Sequence, residues 1–89
     1  MATKTVTVGS AVGLHARPAA IIAEAAAKYD EEIFLAVVGQ EDDEDPTEAA
    51  SSLMIMALGA EKGDQVVVTS ENAQAVEEIA ALIEQDLDA

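Results

Sequence analysis

Strand-like and helical patterns alternate along this chain, which leaves few folds open to it. Residues 5–8 alternate threonine with valine, the period-2 pattern of a half-buried strand. Residues 33–38 are apolar throughout, which predicts a central strand, and residues 65–69 form a third valine-rich run. Apolar residues at helical spacing predict helices over residues 16–29 and 46–58, and a last helix capped by Ser70 or Asn72 with Glu71 in its first turn.

The predicted order is β-α-β-(short strand or loop)-α-β-α. Helices on one face of a small, mostly antiparallel sheet make a two-layer α+β domain, and 89 residues suffice for one such domain over 1–89. Its core must be aliphatic, because Tyr29 and Phe34 are the only aromatic residues. The predicted buried stripes are Ala19, Ile22, Ala23 and Ala26 in the first helix, and Val76, Ile79, Ala80, Ile83 and Leu87 in the last.

Charge and composition exclude several classes of function. The net charge is −14, and so acidic a surface would repel nucleic acid and anionic membranes. The chain has no cysteine, no signal-peptide pattern and no apolar run of membrane-spanning length, so we expect a soluble cytoplasmic protein. Residues 41–45 are all acidic but lack the ligand spacing of a calcium loop, and we interpret them as a solvated loop without metal. The acidity itself fits a high-salt habitat, a basic protein partner or simply a well-solvated surface.

The only histidine and the only arginine lie together where the first strand-like run gives way to the first helix. His15 and Arg17 fall at the predicted helix N-terminus, where the first amides have no intrahelical acceptors and the macrodipole favours anions. A neutral imidazole is a competent nucleophile, and a guanidinium suits phosphate. The pattern predicts a histidine that accepts and passes on a phosphoryl group. The alternative is that His15 caps the helix and Arg17 is merely solvated.

Residues 13–19, Gly-Leu-His-Ala-Arg-Pro-Ala, resemble the active-site signature of HPr, the phosphocarrier of the phosphoenolpyruvate-dependent sugar phosphotransferase system (PTS). Residues 51–59 resemble the family's second segment, a serine that opens a short apolar helix closing in Leu-Gly. The resemblance implies an open-faced β-sandwich, a four-stranded antiparallel sheet with three helices on one face. The third strand would come from about residues 40–47.

The resemblance also implies a mechanism. His15 would take a phosphoryl group on Nδ1 from the histidine of enzyme I and donate it to the EIIA domain of a sugar permease. Arg17 would balance the charge, and the backbone amides of Ala16 and Arg17 would donate hydrogen bonds to the phosphate oxygens. Such a protein is a monomeric carrier between two enzymes rather than an enzyme, and it needs no cofactor.

Differences from the family pattern bear on docking and regulation. Val12 stands where many members have a small polar residue, and Glu24 and Ala27 stand where some have lysines. Docking is therefore expected to depend on an apolar patch made of Ala20, Leu53, Met54 and Met56, whereas Ile55 is expected in the core. Ser51 matches a serine that a kinase phosphorylates in some branches, although Ser52 replaces the large apolar residue that usually follows. A helix cap is the simpler role for Ser51.

Two other functions remain open at this stage. A regulatory or nitrogen-branch paralogue of HPr would carry the same motif but would signal rather than feed sugar uptake. An acyl carrier protein would also be small and acidic, and Ser52-Leu53 faintly resembles its prosthetic-group site. That protein is an all-helical bundle, which three valine-rich runs contradict.

Overall fold

A computed structural model describes residues 1–39 and 47–85 of the chain. In chain order the elements are β1 (Ala2–Thr7), α1 (Ala16–Ala26), β2 (Ile33–Val37), β3 (Thr47–Glu48), α2 (Ser52–Leu58), β4 (Gln65–Ser70) and α3 (Ala73–Glu84). The strands form one antiparallel sheet in the order β1-β4-β2-β3, with the three helices on one face. This is the predicted open-faced α+β sandwich.

Alternation along the strands decides which face of the sheet is covered. In β4, Val66 and Val68 are fully buried and lie opposite Val37 and Leu35 of β2. The threonines of β1 point the other way and are exposed, as the period-2 pattern predicted. The apolar run of β2 is indeed central, with β4 on one side and β3 on the other.

Small side chains let α1 pack closely in the interior. Ala19 and Ile22 have no exposed surface, and Ala26 is 3% exposed, as predicted, whereas Ala23 is only partly buried. In α3 the predicted stripe is also buried, through Val76, Ile79, Ala80 and Ile83. Leu87, the last member predicted for that stripe, lies outside the described residues.

The second predicted helix begins later than expected. Residues 46–58 were predicted to be helical, but Thr47 and Glu48 pair with Leu35 and Phe34 as an edge strand. The helix begins at Ser52 because Ser51 is its N-cap and accepts a hydrogen bond from the Met54 amide at 3.2 Å. The third strand predicted over 40–47 thus reaches the described residues only at Thr47, and the acidic residues 41–45 lie outside them.

The ends of the other two helices also differ from the prediction. Helix α1 ends at Ala26 rather than Tyr29, whose hydroxyl instead donates a hydrogen bond to Glu78 of α3. Helix α3 begins at Ala73, so Glu71 precedes its first turn. Its N-cap is Asn72, which accepts from the Gln74 and Ala75 amides, while the Ser70 hydroxyl accepts from the Asn72 amide.

The sheet excludes one of the alternative functions. An acyl carrier protein is an all-helical bundle, and four paired strands are incompatible with that fold. No helix within the described ranges is long and apolar enough to cross a membrane.

Candidate functional site

His15 is the N-cap residue of α1, but its ring does not cap the helix. Its backbone is extended, with φ −82° and ψ −169°, and the side chain makes no cap hydrogen bond. The imidazole is exposed to solvent. The capping alternative is therefore wrong for the His15 side chain, which is left accessible to a reaction partner.

The start of α1 presents two main-chain donors beside that ring. The first intrahelical bond runs from the Ala19 amide to the His15 carbonyl at 2.8 Å, and the His15 amide donates to Gly13 at 2.9 Å. Pro18 has no N–H and is buried at the third helical position. The amides that precede the first intrahelical bond are thus those of Ala16 and Arg17, and the helix dipole adds positive potential at this end.

Close backbone contacts hold the loop that carries His15. The Leu14 amide donates to the Ala60 carbonyl at 2.9 Å, and the Leu14 side chain is buried in the core. Gly13 has a φ of +79°, and a Cβ there would lie 2.5 Å from the Ala60 oxygen. Only glycine therefore allows the loop to approach the 59–64 turn this closely.

The other end of the same loop is held by α3. The Gly9 amide donates to the Ile83 carbonyl at 3.0 Å, and a Cβ on Gly9 would overlap the Glu84 carbonyl oxygen. The buried Ser10 hydroxyl donates to the Gln85 carbonyl at 3.3 Å, while the Ser10 carbonyl accepts from the Gly13 amide. The position of His15 therefore depends on contacts with both α3 and the turn after α2.

His15 is one of the residues that line a depression in the surface. Residues of the 11–15 loop form one wall, and Met56 with the 59–62 turn forms the other. Val12 and Met56 contribute exposed apolar surface, 57% and 38% exposed, and Lys62 and Glu61 bring opposite charges to the rim. The His15 site thus combines an exposed imidazole, apolar surface and charged groups.

The predicted docking residues are only partly gathered around His15. Met56 lines the depression, and Leu53, 75% exposed, lies three residues before it on the same side of α2. Ala20 is exposed one turn after Ala16 on α1. Met54 is partly buried, and Ile55 has no exposed surface, as expected for the core.

Two residues of the site were not predicted from the sequence. The sequence marks Val12 only as a difference from the family pattern, and it gives Lys62 no functional role. Both come to the site through contacts between segments that are far apart in the chain. The available signal for Lys62 was the scarcity of cations, since the chain has only four lysines and arginines against eighteen acidic residues.

The cations fall into two groups. Lys4 lies 3.0 Å from Glu77, and Lys28 lies 3.1 Å from Glu78, both pairs on the α3 surface. Hydrogen bonds from Tyr29 and Lys28 lower the pKa of the Glu78 carboxyl, and the bond to Glu78 raises the pKa of the Tyr29 hydroxyl. Arg17 and Lys62 form no ion pair within residues 1–39 and 47–85.

The site offers no cluster of metal ligands. Within the part of the chain that the structure describes, no three His, Asp or Glu side chains come together as a group that could hold a metal ion. The groups that the described residues bring to the site are the His15 imidazole, the Arg17 guanidinium, the Lys62 ammonium and the main-chain amides.

Comparisons with known proteins agree with one another. The family model described as PTS HPr component phosphorylation site matches residues 2–85. The phosphocarrier protein HPr of Streptomyces coelicolor is 40% identical over 91 residues, 99% of this chain and 94% of that protein. The phosphocarrier protein NPr of Klebsiella oxytoca is 34% identical, covering 90% of this chain and 84% of that one. The crystal structure of HPr from Thermoanaerobacter tengcongensis superposes with a TM-score of 0.82 at 30% identity, covering 100% and 98% of the two chains.

Proposed function

The chain belongs to the PTS HPr family of phosphocarrier proteins, and we propose that it carries a phosphoryl group on Nδ1 of His15 between two PTS proteins. The donor is the phosphorylated histidine of enzyme I, and the acceptor is the EIIA domain of a sugar permease. The observation that carries the proposal is an exposed His15 ring that makes no cap hydrogen bond at a helix N-terminus. A partner's active site can reach such a ring directly.

The transfer conserves one phosphorus–nitrogen bond at each step. As the bond between phosphorus and the donor histidine breaks, a bond from phosphorus to His15 forms. In the second step the bond between phosphorus and His15 breaks as a bond from phosphorus to the acceptor nitrogen of EIIA forms. The amides of Ala16 and Arg17 donate hydrogen bonds to the phosphoryl oxygens, and the Arg17 guanidinium balances their charge. The chain supplies position and electrostatics, and it turns over nothing unaided.

Docking in this proposal uses the apolar surface near His15. Ala20, Leu53, Met54 and Met56 form the patch predicted from the sequence, and the exposure of Leu53 and Met56 supports it. Both partners would bind this face in turn, with the protein acting as a monomeric single domain in the cytoplasm. No cofactor enters the transfer.

Intact mass tests the phosphoryl acceptor. The protein is incubated with phosphoenolpyruvate, magnesium and an enzyme I of proven activity, then treated briefly with acid. One added phosphate that acid removes is expected, and His15→Ala should gain none while keeping the far-ultraviolet circular dichroism of the wild type. An acid-stable adduct would point to a hydroxyl instead, and a phosphorylated His15→Ala protein would refute the assignment.

A nitrogen-branch role is the second candidate, because a relative of that kind, the Klebsiella oxytoca NPr, is 34% identical over 80 residues. The two roles share the phosphohistidine and differ in the acceptor. Transfer rates from the phosphorylated protein to sugar-type and nitrogen-type EIIA domains separate them. We expect faster transfer to the sugar-type domain, and the opposite preference would favour the second candidate.

A further inference from the structure

Positive charge that is not already paired is scarce in this molecule, and it is found near His15. Two of the four cations are neutralised by carboxylates of α3, namely Lys4 by Glu77 and Lys28 by Glu78. The other two, Arg17 and Lys62, have no ion-pair partner in the described parts of the chain. Arg17 follows His15 by two residues, and Lys62 lines the depression that contains His15. In a chain with a net charge of −14, both cations that have no ion-pair partner in the described parts of the chain thus lie in segments next to His15.

The turn that carries Lys62 is held against the His15 loop by main-chain hydrogen bonds. The Leu14 amide donates to Ala60 at 2.9 Å, and the Gly63 amide donates to Val8 at 3.1 Å, on either side of Lys62. The Val8 amide donates in return to Asp64 at 2.8 Å. The backbone of Lys62 is therefore held in place relative to His15. Its flexible side chain lets the ammonium move towards a negative charge nearby.

The turn is also stiff within itself. The Asp64 carboxylate accepts from the Glu61 amide at 2.9 Å, and the Asp64 amide donates to the Glu61 carbonyl at 2.9 Å. Asp64 is thus committed to the turn. Glu61 is the one carboxylate among the residues that line the depression, and Lys62 is the cation placed to oppose it.

We propose that Lys62 is a second positioning cation for the phosphoryl group on His15, acting from the turn after α2, whereas Arg17 acts from the start of α1. The inference rests on the proposed phosphocarrier function and deepens it. A phosphorylated histidine adds about two negative charges to a surface that already repels them. Arg17 meets that charge from the helix side, and the Lys62 ammonium meets it from the 59–64 turn, offsetting Glu61.

The position of the phosphoryl equilibrium tests this role, because it depends only on the free phosphorylated and unphosphorylated states. A residue that merely helps a partner to dock changes rates and leaves the final ratio unaltered. The protein is equilibrated with catalytic enzyme I, magnesium and a series of phosphoenolpyruvate-to-pyruvate ratios, and the phosphorylated fraction is read by intact mass. Lys62→Gln should lower the ratio of phosphorylated to free protein about three- to tenfold at low ionic strength.

Matched variants isolate the charge. Lys62→Arg should keep the ratio within about twofold of the wild type, because it retains the charge. Lys28→Gln removes the same charge from a cation paired with Glu78 on the α3 surface, and should leave the ratio unchanged. The Lys62→Gln effect should shrink at about 1 M KCl, where the Debye length falls to ~3 Å. Thermal unfolding of each variant confirms that the fold is intact.

The outcomes separate the two proposals. A wild-type protein that takes no phosphate from an active enzyme I would overturn the phosphocarrier function and this inference with it. A phosphorylated wild type with the same equilibrium ratio in Lys62→Gln would overturn the role of Lys62 alone. An equal loss in Lys28→Gln would also overturn it, since the effect would then reflect net charge and not position.

Discussion

Arg17 lies at the second position of α1, where its side chain is exposed and its own amide is one of the two donors at the helix start. In the proposed carrier role, this residue would therefore offer the phosphoryl group both a main-chain N–H and a guanidinium. A substitution changes only the second of these. The two contributions can be separated by experiment.

Removing the Arg17 side chain should slow transfer without abolishing it. In Arg17→Ala the amides and His15 remain, so we expect the rate of phosphoryl transfer to EIIA to fall about 10- to 100-fold, because a hydrogen bond to a charged group contributes about 1.5–3 kcal/mol. Arg17→Lys should recover part of the rate, because it keeps the charge but not the planar fork. Rapid-quench kinetics measure both. An unchanged rate in Arg17→Ala would refute its charge-balancing role.

The sequence could bring together only those residues of the candidate site that are neighbours in the chain. His15, Arg17 and the helix start form one contiguous segment, so their chemistry could be inferred together. Lys62 and Val12 could not be assigned to the site, because no local sequence pattern indicates that the 59–64 turn contacts the 11–15 loop. That contact depends on Gly13, whose positive φ brings the two backbones together.

At the scale of elements, periodicity predicted the strands and helices that face the core, and it failed at short elements and ends. Strand β3 is two residues long and has no period to detect. The predicted start of α2 was too early, because the start of a helix depends on a single capping side chain, here Ser51, rather than on a repeating pattern. Tyr29 fits the helical spacing of α1, yet it lies after the end of that helix, and its hydroxyl donates a hydrogen bond to Glu78.

Ser51 should be important for the stability of α2. Its hydroxyl accepts from the Met54 amide, and loss of such a cap costs about 1 kcal/mol of the free energy of unfolding. We therefore expect Ser51→Ala to lower the melting temperature by roughly 4–8 °C, as for other domains of this size. Ser52→Ala, which changes the first helical residue and not the cap, should shift it by less. Calorimetry measures both, and equal shifts would contradict the capping role.

Phosphorylation of Ser51 remains a prediction from the family resemblance. If it occurs, it should disrupt the hydrogen bond by which Ser51 caps α2. The hydroxyl oxygen would carry the phosphate and would no longer accept from Met54 in the same geometry. The phosphate would lie at the N-terminus of α2, the helix that also bears Met56. Incubation with a kinase specific for this serine, followed by intact mass after acid, would show an adduct that His15→Ala retains and Ser51→Ala lacks.

The junction of α1 and α3 should be sensitive to acid. Hydrogen bonds from Tyr29, and then from Lys28, lower the pKa of Glu78 in the folded protein below its ordinary value of 4.5. A lowered folded-state pKa means that this stabilisation is present above about pH 4.5 and is lost as the pH falls through the folded pKa. Glu78→Gln should therefore lower the melting temperature at pH 7, and the difference from the wild type should narrow below pH 4.5. A difference independent of pH would refute the contribution of the carboxylate charge.

Over the whole molecule, repulsion among carboxylates is the dominant electrostatic feature. Eighteen acidic residues face four basic ones, and only two ion pairs occur among the described residues. Self-repulsion of this kind destabilises the compact state, and salt relieves it by screening. We therefore expect the acidic composition to affect the stability of the protein more than its fold.

Stability should rise with salt. We expect the melting temperature to increase by at least about 5 °C between 0.1 and 2 M KCl, because screening then acts over distances shorter than the spacing of surface charges. A variant with glutamine at Glu24, Glu32 and Glu71, which are all exposed, should be less dependent on salt. Scanning calorimetry at a series of KCl concentrations measures this. A flat or falling melting temperature would show that repulsion does not limit stability.

The two amides at the start of α1 have a consequence for how the sequence can vary. A hydrogen-bond donor that belongs to the main chain is encoded by every amino acid except proline, so selection on that donor leaves the side chain at position 16 unconstrained. Ala16 is exposed, and its side chain is not part of the core. Drift can therefore alter the side chain at position 16 while the two main-chain donors pass unchanged from one descendant to the next.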